Sequence, residues 1–288
     1  MKKDPDAIFL AVLACFALSG FAALLYQTAW MRQFSTVFGT SELAVGTVLA
    51  SYMAGLALGA AVAARFVARL QRPVLVYALL ELGIAISALW VPAGLALTRK
   101  LQILMFGGQP QPPDAGGVSQ AVFFLVATFG LIVIPTGFMG ATLPMLARHA
   151  VQNRQQIARR IGWLYATNTA GAVLGTLAAA FLLLPWLGLG GTIAFGVAAN
   201  LLVFLLAWGI SRRSPGSRVE PDESNAAPAA GVYRWVLPMV LVSGIASFTY
   251  EVLWTRLLAH TLGTSIYAFA TMLASFLIGI TLGSALAA

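Results

Sequence analysis

The 288-residue chain is 60% hydrophobic and 9% charged, with a mean hydropathy of +0.88. Soluble domains carry near 25% charged residues, so the composition excludes an ordinary soluble enzyme and points to a polytopic membrane protein. A single cysteine, Cys15, excludes a disulfide framework or a cysteine zinc cluster, and the net charge of +8 needs an explanation from where the charges lie.

Apolar runs of about 20 residues, the length that crosses a bilayer as a helix, recur along the whole chain. The first, near 7–32, follows the basic start "MKKD" and has no clear cleavage site, so it reads as a retained first helix. It ends in "SGFAALLYQTAWMRQ", residues 19–33, with Tyr26, Gln27 and Trp30 close together. The second run lies near 43–68 and the third near 74–98. Glu81 falls about 10 Å into the third helix, with Tyr77 one turn before it on the same face.

The fourth run, near 119–147, follows a Pro/Gly loop at 107–118 and holds Pro135, Gly137, Gly140 and Pro144. Such breaks kink helices and serve as gates in transporters, although Pro144 would also suit the end of the span. The fifth run, near 160–184, carries Asn168 and the pair Gly171 and Gly175, a small-xxx-small face for close packing. Gly188, Gly190 and Gly191 form a tight turn before the sixth run, near 190–210. Residues 211–232, rich in Pro, Ser, Ala and charge, read as a flexible linker. The seventh run, near 233–257, contains "SGIASFTYEVLWTRL", and the eighth lies near 264–288. No alternating pattern suggests a β-barrel. The expected fold is all-α, a bundle of about eight transmembrane helices.

Lysine and arginine orient this set. With the N-terminus in the cytoplasm, thirteen of them face inward and only Arg99 and Lys100 face outward, while Arg32 and Arg256 sit at outer helix ends. That bias predicts a multi-pass protein of a bacterial inner membrane with a cytoplasmic N-terminus. The basic charge is then topology and attraction to anionic lipid, and nucleic acid is not expected as a partner.

The segments 19–64 and 243–288 align without a gap at a spacing of 224 residues, with 20 of 46 positions identical. Tyr26, Trp30 and Arg32 recur as Tyr250, Trp254 and Arg256, and Gly55 and Gly59 recur as Gly279 and Gly283. Helices 7 and 8 therefore repeat helices 1 and 2. Residues 1–210 read as a first six-helix unit, 211–232 as a cytoplasmic linker, and 233–288 as the opening of a second, truncated unit in the same orientation. Two parallel units of six helices are the arrangement of major facilitator transporters.

The pattern SGxxxxxYxxxWxRxxxxxxGTSxxA, together with "GFMGATLPMLAR" at 137–148 and "IGWLYATNTAGAVLGTLAAAFLLLPWLGLGGT" at 161–192, resembles the membrane portion of bacterial fused spermidine synthase-like proteins. The resemblance implies a major-facilitator-like bundle followed by an aminopropyltransferase-like soluble domain, and a link to polyamine chemistry. This chain lacks the glycine-rich donor loop of such a transferase, so no catalytic residues and no cofactor are assigned to it. The loop after helix 2, "AAVAARFVARLQR", also lacks the aspartate that facilitators carry there.

Ionisable groups inside a membrane are costly and default to functional candidates. Glu81 has two readings: a polar cluster with Tyr77 and Asn168 lining a cytoplasm-facing cavity, or an ion pair with Arg148 or Arg160 that holds the bundle. Glu251 lies about 27 Å along helix 7, where Gln27 stands in the first copy. Tyr250, Glu251 and Trp254, with Tyr26, Gln27 and Trp30, would suit a small organic cation such as a polyamine. Tyr and Trp also mark membrane–water interfaces, where Arg32 and Arg256 would snorkel outward, and that second reading stays open. His149 and His260 have no ligand partners at metal spacing, so no metal site is expected. The functional expectation is a membrane domain that anchors or channels for aminopropyltransferase chemistry. The alternative is a stand-alone secondary transporter.

Overall fold

The computed structural model describes residues 5–38, 42–106, 117–150, 157–213, 230–263 and 266–287, and these contain helices and no strands. The α-helices are α1 (Pro5–Phe38), α2 (Glu42–Phe66), α3 (Pro73–Phe106), α4 (Gly117–Ala150), α5 (Ile157–Ala178), α6 (Leu184–Arg213), α7 (Ala230–Leu262) and α8 (Ile266–Ala287). A 3₁₀ turn, Val67–Arg69, extends α2, and a π segment, Ala179–Leu183, joins α5 to α6. Most of the expected 107–118 loop, and the linker apart from its ends, lie outside the described residues.

Seven stretches among the described residues are long and apolar enough to cross a membrane. One of them, Ile157–Arg212, is 56 residues long and takes in both α5 and α6. A straight helix of that length would run roughly 84 Å, far beyond a bilayer. Gly188 interrupts it with φ 65° and ψ −174°, a conformation that glycine adopts without the clash a side chain brings. Both α5 and α6 pack along α1, itself roughly 51 Å long, so the chain folds back at this glycine.

Helices α1, α3, α4, α6 and α7 overrun their expected ends, because turns outside the hydrocarbon still satisfy their own backbone bonds, whereas α2, α5 and α8 stop short of theirs. Pro144 does not end α4, which continues to Ala150, and Pro92 and Pro238 likewise lie inside α3 and α7. The Thr136 hydroxyl donates to the Ile132 carbonyl at 2.6 Å, within the turn loosened by Pro135.

Two glycine seams set the packing. On α5, Gly171 and Gly175 press against the backbone of Ala17 and Phe21 of α1, leaving no room for a Cβ. On the other seam, Gly55 and Gly59 of α2 meet Thr136 and Gly137 of α4, and Gly140 of α4 meets Leu56. In lipid the tails compete with any apolar contact, so close backbone approach supplies the association instead. The remaining packing places α3 on α4 and α6, α1 on α6, and α8 on α5. The most extensive apolar cluster centres on Tyr26, Trp30 and Phe34 of α1 with Ile84, Ala88 and Val91 of α3.

Candidate functional site

Three helices bring polar groups together around Glu81, which is wholly buried on α3. From α1, the Ser19 hydroxyl donates to Oε1 at 2.5 Å. From α6, the Asn200 amide nitrogen donates to Oε2 at 2.6 Å. Tyr77, one turn before Glu81, is buried with its ring edge-on to Phe16 at 6.3 Å, and its hydroxyl has no hydrogen-bond partner. Both carboxylate oxygens thus take uncharged donors, which compensate part of the cost of burying the group.

The structure departs here from both sequence readings of Glu81. The amide that reaches it belongs to Asn200, not Asn168. Asn168 lies instead against Gly20 of α1, where a Cβ on Gly20 would stand 2.7 Å from its Oδ1. Nor, among the described residues, does Arg148 or Arg160 pair with Glu81. Arg160 donates to the Ala150 carbonyl at 2.9 Å and lies over the Phe9 ring at 5.0 Å, one helix end away. Asn200 was detectable in principle: it is the lone amide in the apolar "GVAANLLVF" of α6, the same signal that singled out Asn168. Depth alone did not single it out, and only the packing of α6 on α3 turns it toward Glu81.

Further along α1, Tyr26, Gln27 and Trp30 are 0–1% exposed. The Tyr26 and Trp30 rings stack at 5.2 Å and 15°. An interfacial anchor keeps its polar tip in water, and these two side chains do not, so the first copy is not an aromatic belt. Tyr26 Oη, both polar atoms of the Gln27 amide, Trp30 Nε1 and Gln33 Oε1 are buried without a hydrogen-bond partner.

The second copy is arranged differently. Glu251 is 4% exposed and its Oε1 has no partner, while Tyr250 and Trp254 are 59% and 55% exposed. The carboxylate turns toward the bundle and the two aromatic rings turn away from it. Tyr26 with Trp30, and Tyr250 with Trp254, therefore do not share one lining.

A cavity of about 380 Å³ opens where α1, the α5–α6 turn and α8 meet. Its walls include Arg32, Pro185, Gly188, Leu189, Ile266 and Tyr267. No group of three or more metal-ligating side chains occurs among the described residues.

Comparison with known proteins finds a polyamine aminopropyltransferase from Corynebacterium efficiens that is 30% identical over 199 residues. The match takes in 67% of this chain and 34% of the relative, so the chain spans about a third of that protein's length. No protein-family model matches the chain, and no solved structure matches it. The chain is an all-helical bundle of membrane-type helices with distant similarity to a polyamine aminopropyltransferase.

Proposed function

We propose that this chain is the membrane-embedded portion of a spermidine synthase-like protein, which anchors or channels for aminopropyltransferase chemistry and binds a small organic cation. One observation carries the reading: two thirds of this apolar chain aligns with one third of a polyamine aminopropyltransferase. A membrane segment covering only part of a transferase leaves the remainder of such a protein for the chemistry.

The finer architecture belongs to the same proposal. Counting α5 and α6 separately across the reversal at Gly188 makes eight spans. The first six form a major-facilitator-like unit, and α7 and α8 open a second unit in the same orientation, with α8 seated on α5 at the seam. The positive-inside bias supports an inner membrane with a cytoplasmic N-terminus. The cation would meet Glu251, the buried acidic counterpart of Gln27, because a carboxylate oxygen without a partner in an apolar setting attracts positive charge. Tyr250 and Trp254, whose rings turn away from the bundle, would meet the cation only on the outer face of α7, and Glu81, Tyr26, Gln27, Trp30 and Asn168 would belong to the first unit's side of the path.

The test is titration calorimetry on the full protein in detergent with putrescine, spermidine and a sulfonium aminopropyl donor. Saturable binding of an amine that weakens about tenfold in Glu251→Gln is expected, about 1.4 kcal/mol of lost affinity. Absence of heat for every ligand would leave only an anchor. Accumulation of an unrelated solute in vesicles, driven by protons or sodium, would replace the reading with a stand-alone transporter.

A further inference from the structure

We infer that Glu81 is a reversible proton-binding site, built so that its carboxyl can be held in either charge state between α1, α3 and α6. Among the described residues, the polar and titratable groups set against it are few. From α1 come Ser19, Cys15 and Tyr26, the last two within reach of its charge. From α3 comes Tyr77, and from α6 comes Asn200. The nearby contact of α4 with α3 is apolar, Phe138 against Gly83. Not one of these groups is a cation. A carboxylate that is fully buried in a membrane helix needs a neutralising partner. With hydroxyls and an amide as neighbours, that partner is a proton.

The neighbours suit both states. With the carboxylate charged, Ser19 and Asn200 donate, as observed. Once protonated, the carboxyl becomes a donor and needs an acceptor. Asn200 offers its Oδ1, which is buried and has no partner, and Tyr77 offers its unpartnered hydroxyl oxygen. Rotation of the Asn200 amide exchanges donor for acceptor without moving a helix.

A route for the proton lies along α1. The helical positions of Ser19, Tyr26, Trp30 and Gln33 fall on one face, with Gln27 at its edge, over roughly 21 Å. The last four carry buried polar atoms with no protein partner, which are the groups that hold internal water. The row ends beside Arg32, at the wall of the 380 Å³ cavity.

Infrared difference spectroscopy of the full protein in lipid tests the inference. Acidification from about pH 9 to about pH 4, a range that covers buried carboxyls, is expected to raise a protonated-carboxyl carbonyl band. The band should shift on ¹³C-glutamate labelling, vanish in Glu81→Gln and persist in Glu251→Gln. In Ser19→Ala it should move to higher frequency, because the carbonyl oxygen loses the hydroxyl that donates to it. This last variant decides the matter if Glu81→Gln does not fold, and an unmoved band there would overturn the inference. So would a spectrum with no titrating carboxyl band, or one whose only band disappears in Glu251→Gln. None of these readouts depends on amine binding.

Discussion

The segments 19–64 and 243–288 share 20 of 46 residues yet stand in unlike surroundings. In the first, Tyr26 and Trp30 are fully buried, and Gly20, Gly55 and Gly59 are pressed against α5 or α4. In the second, Tyr250 and Trp254 are more than half exposed, and a Cβ on Gly244, Gly279 or Gly283 would meet nothing within 4 Å. The most hydrophobic part of α7 is 6% buried, against 39% for α1. Similar side chains at similar spacing are therefore compatible with a core face and with an open one. What separates them is the partner. Helix α1 is flanked by α5, α6 and α3, whereas α7 packs chiefly on α8. The exposed glycines and aromatics of α7 and α8 have the chemistry of a helix-packing face.

Substitutions at matched positions measure how far this difference extends in the whole protein. The largest effect is expected for Trp30→Ala, a loss of about 3–5 kcal/mol from emptying a fully buried site, against under 1 kcal/mol for Trp254→Ala. Thermal unfolding in detergent reads both, and an equal loss at the two positions would mean that α7 is covered as α1 is. Next comes Gly59→Val, whose side chain would collide with the Gly137 backbone and cost about 1–3 kcal/mol or more. Gly283→Val meets open space and should be near neutral, unless helices equivalent to α4 lie over it.

Smaller effects concern the polar interior. Asn200→Ala removes one donor from a buried carboxylate and should cost about 1–3 kcal/mol by chemical unfolding. The corresponding change at the other amide, Asn168→Ala, should cost less, because Asn168 is only partly buried and makes no bond to Glu81. The smallest effect belongs to Gly188→Ala, about 1 kcal/mol for forcing a side chain into positive φ, while Gly190→Ala has open space and should be neutral. A neutral Gly188→Ala would mean that the reversal between α5 and α6 does not depend on that backbone conformation.

The helical class, the places of the apolar segments, the turn at Gly188 and the packing face at Gly171 and Gly175 were all legible in the sequence. Each rests on local chemistry: hydropathy, a small residue every fourth position, a glycine where the chain must reverse. The Glu81 neighbourhood was half legible. Tyr77 shares a helix with Glu81, so spacing alone puts them on one face. Ser19 and Asn200 are 62 and 119 residues away in sequence, and no local pattern ties them to a carboxylate. The same limit accounts for the choice of Asn168 over Asn200, since depth in the membrane is shared by many residues and azimuth around the helix is not. It also accounts for the aromatic pair at Tyr26 and Trp30, whose composition fits an interface and whose position is the core.

By itself, then, the sequence determined that this protein is a set of apolar helices, with 20 of 46 residues shared between 19–64 and 243–288 and two acidic residues, Glu81 and Glu251, within apolar runs. Hydrophobic length and backbone hydrogen bonding settle those features without reference to any neighbour. Which face of each helix is interior, which amide meets Glu81, and why α1 is buried while α7 is open were decided only by tertiary structure. In lipid, apolar composition cannot distinguish a side chain facing protein from one facing acyl chains, so the discrimination falls to glycine seams and to polar groups that need one another.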